Sequence, residues 1–291
     1  MMEHVRIDRD GAVGVITIDR PARFNSLDVS TARDLRRAGL QMARDGTVRA
    51  VVLRGAGGVF CSGADLKYIS AGGDGADLAY LSPADRDIPR GYGETFKQIL
   101  EYLHSTISEL RRAPKPIIAS VDGAAAAGGF GLAMACDLVF ASPRATFEWA
   151  YGKTGLTGAE SSTFLLPRLV GLRRAMEMML LNPRLSAVTA MEMGLITAVV
   201  PADTFDAQVL AIAHTLAAGP TQAFATAKML INQAAGVDRI DFHLDQELHH
   251  LSRSADGDEF REGLRAFLEK RPPIFTAPAV GAVVGDRKSV V

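Results

Sequence analysis

Residues 117–137 read IIASVDGAAAAGGFGLAMACD, and the fold turns on them. Residues 117–121 have the pattern of a buried strand. Glycine and alanine follow, and residues 132–135 start an apolar helix. Glycines at a strand-to-helix turn let backbone N–H groups face a ligand at close range. They also sit at the positive end of a helix dipole. Such donors, fixed in place, build an oxyanion hole, which stabilises negative charge developing on a carbonyl oxygen. No carboxylate stands beside them: Gly131 occupies the place where an acid/base residue is expected.

Outward from this stretch the chain alternates strands and helices. Residues 5–7 and 13–18 are short alternating apolar runs separated by Asp10-Gly11, a hairpin signal. Ser30 or Thr31 caps a helix running to about Arg44. Residues 50–53 form a short strand, followed by the glycine-rich RGAGGVFCSGAD. Residues 71–93 carry glycines, prolines and aspartates and read as a mobile loop or lid. A helix over 95–112 stops at Pro114 and Pro116. A strand follows at 138–141, and the pattern turns helical beyond Thr163. Ser186 caps a helix that Gly194 ends, and 198–200 is a short strand. Residues 204–217, 221–234, 241–253 and 258–269 read as four helices, and residues after Ala277 as a frayed tail.

The 291 residues are 22% charged and 48% hydrophobic with a formal net charge of −1, an ordinary soluble globular composition without a nucleic-acid binder's basic excess. The length suits two domains or one large α/β domain with helical appendages. Cys61 and Cys136 lie far apart without metal-site spacing, which fits a reducing cytosol. The start, MMEHVRIDRD, has no apolar core and is not a signal peptide. The weakly polar run 117–141 is a poor membrane span, because Asp122, Asp137 and the Gly/Ala block interrupt the ~20 apolar residues a span needs.

Two glycine-bearing turns carry the chemistry. Cys61-Ser62-Gly63-Ala64-Asp65-Leu66 follows one strand and Gly128-Gly129 follows another. Each alone reads as a tight turn with close helix packing; together, in this order, they supply the two converging donors that an enolate oxygen needs. A dinucleotide site fails, because Gly129-Phe130-Gly131 continues to Met134 where the third glycine of the fingerprint belongs.

These residues resemble the crotonase, or enoyl-CoA hydratase/isomerase, superfamily. The resemblance rests on RPARFNSLD (20–28), FCSGADLK (60–67), DGAAAAGGFGLAMACDLVFAS (122–142), LPRLVG (166–171) and EGLRAFLEKRPPIF (262–275). KTGLTGAESSTFLLPRLVG (153–171) is most similar to the phenylacetate-pathway ring-isomerising enoyl-CoA isomerases. The resemblance implies an α/β crotonase-like fold, a spiral of repeated β-β-α turns with a C-terminal helical trimerisation region. Residues 1–200 would be the acyl-CoA-binding core, 201–276 the helical oligomerisation region and 277–291 a flexible tail. It implies an oxyanion hole from the N–H groups of Ala64 and Gly128, and a coenzyme A channel lined by Arg23, Ala64 and Leu66. Phe260 and Lys270 would reach a neighbour's coenzyme A. Coenzyme A enters as part of the substrate, an acyl-CoA thioester, with no tightly bound cofactor and no metal. Neither nucleic acid nor membrane is an expected partner, and a homotrimer or dimer of trimers is.

The departures from the family pattern bear on the reaction. Hydratases of this family use two glutamates, whose positions fall here on Gly131 and Tyr151. The ring-isomerising relatives carry one aspartate, whose position falls on Ala159, next to Glu160. Glu160 is the best single acid/base candidate; its alternative reading is an inert carboxylate at a helix N-terminus. Tyr151 can donate a proton but is a poor base near its ordinary pKa of about 10; otherwise it is a packed ring with a satisfied hydroxyl. Glu148 is a further candidate, or lies on a strand edge. His243, Glu247 and His250 share a face of one helix, read as solvated. The expected activity is double-bond isomerisation through a thioester enolate. The alternatives are an enoyl-CoA hydratase and a non-catalytic acyl-CoA-binding protein.

Overall fold

The computed structural model describes residues 2–74, Asp77 and residues 91–275. Most of the 71–93 segment and the tail beyond residue 277 lie outside the described residues. Strands β1 (Val5–Asp10) and β2 (Val13–Ile18) form the expected hairpin around Gly11. With β3 (Ala50–Gly55), β4 (Ile117–Val121), β6 (Leu138–Ala141) and β9 (Ala198–Val199) they build a six-stranded sheet in the order β1-β2-β3-β4-β6-β9. Every pair after the first is parallel. All six residues of β2 are buried, as expected where helices cover both faces of a parallel sheet.

Alternate residues serve the two faces. Ile16, Leu53, Ile117 and Ala119 point into the main core with Leu35 and Met42 of α1 (Val29–Arg44) and Leu103 and Ile107 of α3 (Tyr92–Arg112). Val13, Val15, Val52 and Ile118 meet Phe205, Val209, Ala213 and Ala217 of α7 (Phe205–Ala218). The division at residue 200 is therefore not a structural boundary: α7 is the second layer of the sheet. The helices after it differ in burial. None of the residues of α8 (Thr221–Ala234) is buried, whereas α9 (Ile240–Ala255) packs along α3, and α10 (Asp258–Glu269) closes the described chain.

A second sheet of three strands, β5 (Ala124–Ala126), β7 (Thr146–Glu148) and β8 (Leu185–Ser186), lies against two of the four helices that complete this part of the fold, one at β5 and the other at β7 and β8. In chain order the four are α2 (Leu66–Ser70), α4 (Gly128–Met134), which meets β5, α5 (Ser162–Leu181), which is broken at Gly171, and α6 (Ala187–Glu192), which meets β7 and β8. Two local expectations change. Asp28, not Ser30 or Thr31, caps α1, its carboxylate accepting the Thr31 N–H at 2.8 Å. Helix α4 begins at Gly128, four residues before the apolar run suggested, because the missing side chains let its first turn press against the segment at Cys61.

Candidate active site

The two glycine turns touch. Gly63 has φ +91, and a Cβ there would lie 2.7 Å from Ala127 Cβ and 3.3 Å from Gly128 N, so no larger residue fits the contact. Beside it, the Leu27 N–H donates to Gly63 O (2.8 Å) and the Asp65 N–H to Leu27 O (2.9 Å). This bridge uses the groups on either side of Ala64 and turns the Ala64 N–H away from Leu27. The second turn is strained. Ala127 holds φ 47, ψ −116, a backbone state that costs a non-glycine residue ~1–3 kcal/mol. Its N–H is tied to Glu148 O (3.1 Å) and its carbonyl accepts the Gly131 N–H (3.0 Å). Among the described residues neither the Ala64 nor the Gly128 N–H donates within the chain.

Ala64 lies between two adjoining cavities that share Ser62, Ala64, Leu66 and Phe267 as walls. The outer cavity, about 340 Å³, runs between Arg23, Phe24, Asp65 and Lys67. Its rim is fixed by Asp65, which takes Arg23 Nη2 (2.6 Å) and Arg20 Nη1 (2.8 Å) and caps α2 at the Lys67 and Tyr68 amides. Burial pushes the Asp65 carboxyl up, but the hydrogen bonds from Arg23, the Tyr68 amide and Arg20 outweigh it and hold it below the usual range.

The inner cavity, about 160 Å³, is lined by Phe96, Gly128, Tyr151, Leu156, Glu160 and Leu251, among others. Glu160 enters it because two consecutive non-glycine residues, Glu160 (φ 51) and Ser161 (φ 65), are left-handed. This kink answers the one-residue offset from Ala159: it swings the side chain inward, and a Cβ at Gly128 would stand 3.0 Å from Glu160 Oε1. The same kink explains Gly131. A Cβ on Gly131 would overlap the Glu160 carbonyl and lie 2.7 Å from Glu160 Cβ. The volume beside the Gly128 turn is thus filled by Glu160, delivered from the start of α5 rather than from α4.

Glu160 is buried, and loss of hydration pushes its carboxyl up to about 8; a hydrogen bond from Tyr151 opposes the rise and the charge of Glu247 adds to it. The Tyr151 hydroxyl donates to Glu160 Oε2, with Ala159 O at 3.1 Å as its other acceptor. Burial and the neighbouring Glu160 carboxylate raise the phenol well above its usual range, so it keeps its proton. Trp149 packs against the Tyr151 ring at 5.0 Å between centroids. His104 accepts the Glu160 N–H at Nε2 (3.3 Å) and is bonded to the Leu244 backbone; burial lowers it to about 3, so it is a neutral imidazole.

Other sequence candidates lie elsewhere. The Glu148 carboxylate is bound by Lys153, by Arg184 Nε (3.2 Å) and by Asn182 Nδ2 (3.3 Å), and it lines neither cavity, so it is a structural ion pair. Phe260 is fully buried within its own subunit, edge-on to Tyr92 (5.5 Å) and Phe96 (5.4 Å); Phe267, about two turns further along α10, is the aromatic residue that lines both cavities. Lys270 is exposed at the C-terminal cap of α10. Glu247 is not on a solvated face: it is buried, while His250 is exposed. Its position was legible, since Ile240, Leu244, Glu247 and Leu251 make one apolar stripe with a carboxylate in it. His104 interrupts the stripe of Phe96, Leu100 and Ile107 in the same way.

An α/β core that sets two backbone amides, free among the described residues, beside a buried carboxyl has the parts to stabilise charge on a carbonyl oxygen and to move a proton. The chain belongs to the enoyl-CoA hydratase/isomerase family, whose model matches residues 8–278. It is 38% identical to a probable enoyl-CoA hydratase of Rhodobacter capsulatus over 94% of this chain and 97% of that one. It is 34% identical to the 1,2-epoxyphenylacetyl-CoA isomerase of Escherichia coli over 95% and 99%. Among solved structures, an enoyl-CoA hydratase from Mycobacterium avium subsp. paratuberculosis superposes with a TM-score of 0.81 at 32% identity, covering 95% of this chain and 100% of that one.

Proposed function

We propose that this enzyme isomerises the double bond of an acyl-CoA thioester, with Glu160 as its one acid/base. The observation that carries the proposal is that Glu160 is the one carboxyl lining the inner cavity among the described residues, beside Gly128 and with its pKa pushed to about 8. The thioester oxygen sits on the N–H groups of Ala64 and Gly128. Ionised Glu160 removes a proton from the carbon next to the carbonyl, and the electron pair of that C–H bond passes to the oxygen as an enolate. The protonated carboxyl then returns the proton to the far end of the conjugated system, and the carbonyl re-forms. Tyr151 serves both states: its hydroxyl donates to the Glu160 carboxylate, and turns to Ala159 O when Glu160 carries the proton. The outer cavity takes coenzyme A against Arg23, Ala64, Leu66 and Lys67.

Hydration asks for one group to deprotonate water and another to protonate carbon. Glu160 can deprotonate the water, but the group left to protonate carbon is Tyr151, whose raised pKa makes it a weak proton donor. The chain also carries exposed apolar residues along α5 and α6, Leu169, Leu172, Met176, Leu180, Leu181 and Val188, a surface that suits assembly with further copies as a trimer or a pair of trimers. The reaction is tested by assaying 3-enoyl-CoA isomerisation and 2-enoyl-CoA hydration with the parent and Glu160→Gln. Fast isomerisation that falls ~10²–10⁴-fold in the variant supports the reading. Hydration faster than isomerisation, or a fully active variant, overturns it.

A further inference from the structure

Glu247 has no place in the chemistry just described, yet it is a buried acid with no lysine or arginine against it among the described residues. Its hydrogen bonds converge on the turn that carries Glu160. Oε2 accepts the Ser161 N–H at 2.8 Å, and Oε1 accepts the Thr163 N–H at 2.9 Å and the Thr163 hydroxyl. The Phe164 amide adds to the set. Burial pushes the Glu247 carboxyl up, and the hydrogen bonds from the Thr163 hydroxyl and the Ser161, Thr163 and Phe164 amides oppose the rise. Because these contacts all donate, they favour the carboxylate, seated on the positive end of the first segment of α5, which runs to the break at Gly171. Immediately before it, Glu160 and Ser161 hold left-handed backbone that non-glycine residues avoid. A strained pair persists only where its surroundings fix it, and the amides that follow are fixed by Glu247, from 84 to 86 residues away. Helix α9 grips the turn a second time, since the Leu244 backbone holds His104, which takes the Glu160 N–H.

We infer that Glu247 is the positioning residue of this active site: from α9 it clamps the strained turn that aims Glu160 into the cavity. The inference rests on Glu160 being the acid/base. The charge has a second effect. The ionisable groups facing Glu160 are Tyr151, Cys61 on the segment after β3, His104 on α3 and Glu247 on α9. Tyr151 and Cys61 are held protonated and His104 neutral, which leaves Glu247 as the one fixed charge among them. His243 lies 3.8 Å from Glu247 and bonds Thr163, but burial lowers it below its usual range. A fixed negative charge favours the protonated form of Glu160.

The test is Glu247→Gln, with Thr163→Val as a milder variant that removes one donor and keeps the side-chain shape. Glutamine presents an NH₂ group to amides that need an acceptor, so it releases part of the clamp. The expected result for Glu247→Gln is kcat lowered ~10–100-fold with KM changed less than about threefold, as for a group displaced by about 1 Å. The pH at which kcat/KM rises should move down by about half a unit or more, because the like charge is gone. Thr163→Val should move both quantities in the same direction by less, and carries the test if Glu247→Gln does not fold. A folded variant with the parent pH profile, whatever its stability, overturns the inference. If Glu160→Gln is inactive while the Glu247 and Thr163 variants behave as the parent, only this inference fails; if Glu160→Gln is fully active, the functional reading itself fails.

Discussion

Glu160→Gln should make the protein more stable while removing its activity, and the two effects have one cause. The carboxyl ordinarily titrates near 4.5 and is held at about 8 in the fold, chiefly by burial. Between these values the folded chain binds a proton that the unfolded chain has released. Stability therefore falls as pH rises through that window, by about 1.4 kcal/mol per pH unit, and levels off once pH passes about 8. At pH 7 the accumulated penalty is on the order of 3 kcal/mol. Glutamine does not titrate and can still accept the Tyr151 hydroxyl, so it recovers most of this. Urea unfolding, followed by fluorescence of the single tryptophan, Trp149, which packs on Tyr151, reads the difference directly. Parent and variant should be nearly equal at pH 4.5 and diverge towards pH 8, with the variant the more stable. A gap that does not change with pH, or a variant less stable than the parent at pH 8, would refute the reasoning.

The same carboxyl gives the parent a pH profile in which kcat/KM rises through about 8, because only the ionised form removes a proton; a profile flat from pH 6 to 9 would count against it. Gly131→Ala adds a methyl group that overlaps the Glu160 carbonyl, and is expected to lower kcat at least ~10-fold while coenzyme A binding by calorimetry stays within about threefold. Gly128→Val presses on Glu160 Oε1 and Leu27, and should abolish both turnover and tight thioester binding; retention of either would displace Gly128 from the oxyanion hole. Asp65→Ala strips Arg20 and Arg23 of a shared partner and uncaps α2, with an expected loss of about 2–4 kcal/mol in urea unfolding and a raised KM; an unchanged KM would separate this network from the outer cavity.

Much of this enzyme was legible in the sequence. The hairpin, the strand at Ile117–Val121, the caps at Ser186 and the two glycine turns are set by neighbours in the chain, through apolar period, turn chemistry and the absence of a Cβ. Those signals, with the motifs around Arg23, Ala64 and Gly128, also identified the family. What they left open was decided by contacts between distant segments. Whether Glu160 caps a helix or enters the cavity depends on a left-handed kink held by Glu247 and His104, 86 and 56 residues away. Glu148 stood as a further candidate behind Glu160 until Lys153 and Arg184 were folded against it. Gly131 marked a missing acid in the sequence, and in three dimensions it is the room that Glu160 fills. Local pattern fixes where a backbone runs, because its hydrogen bonds and apolar faces repeat over short distances. The direction and charge of one side chain at an irregular turn have no such period, and only the packed fold determines them.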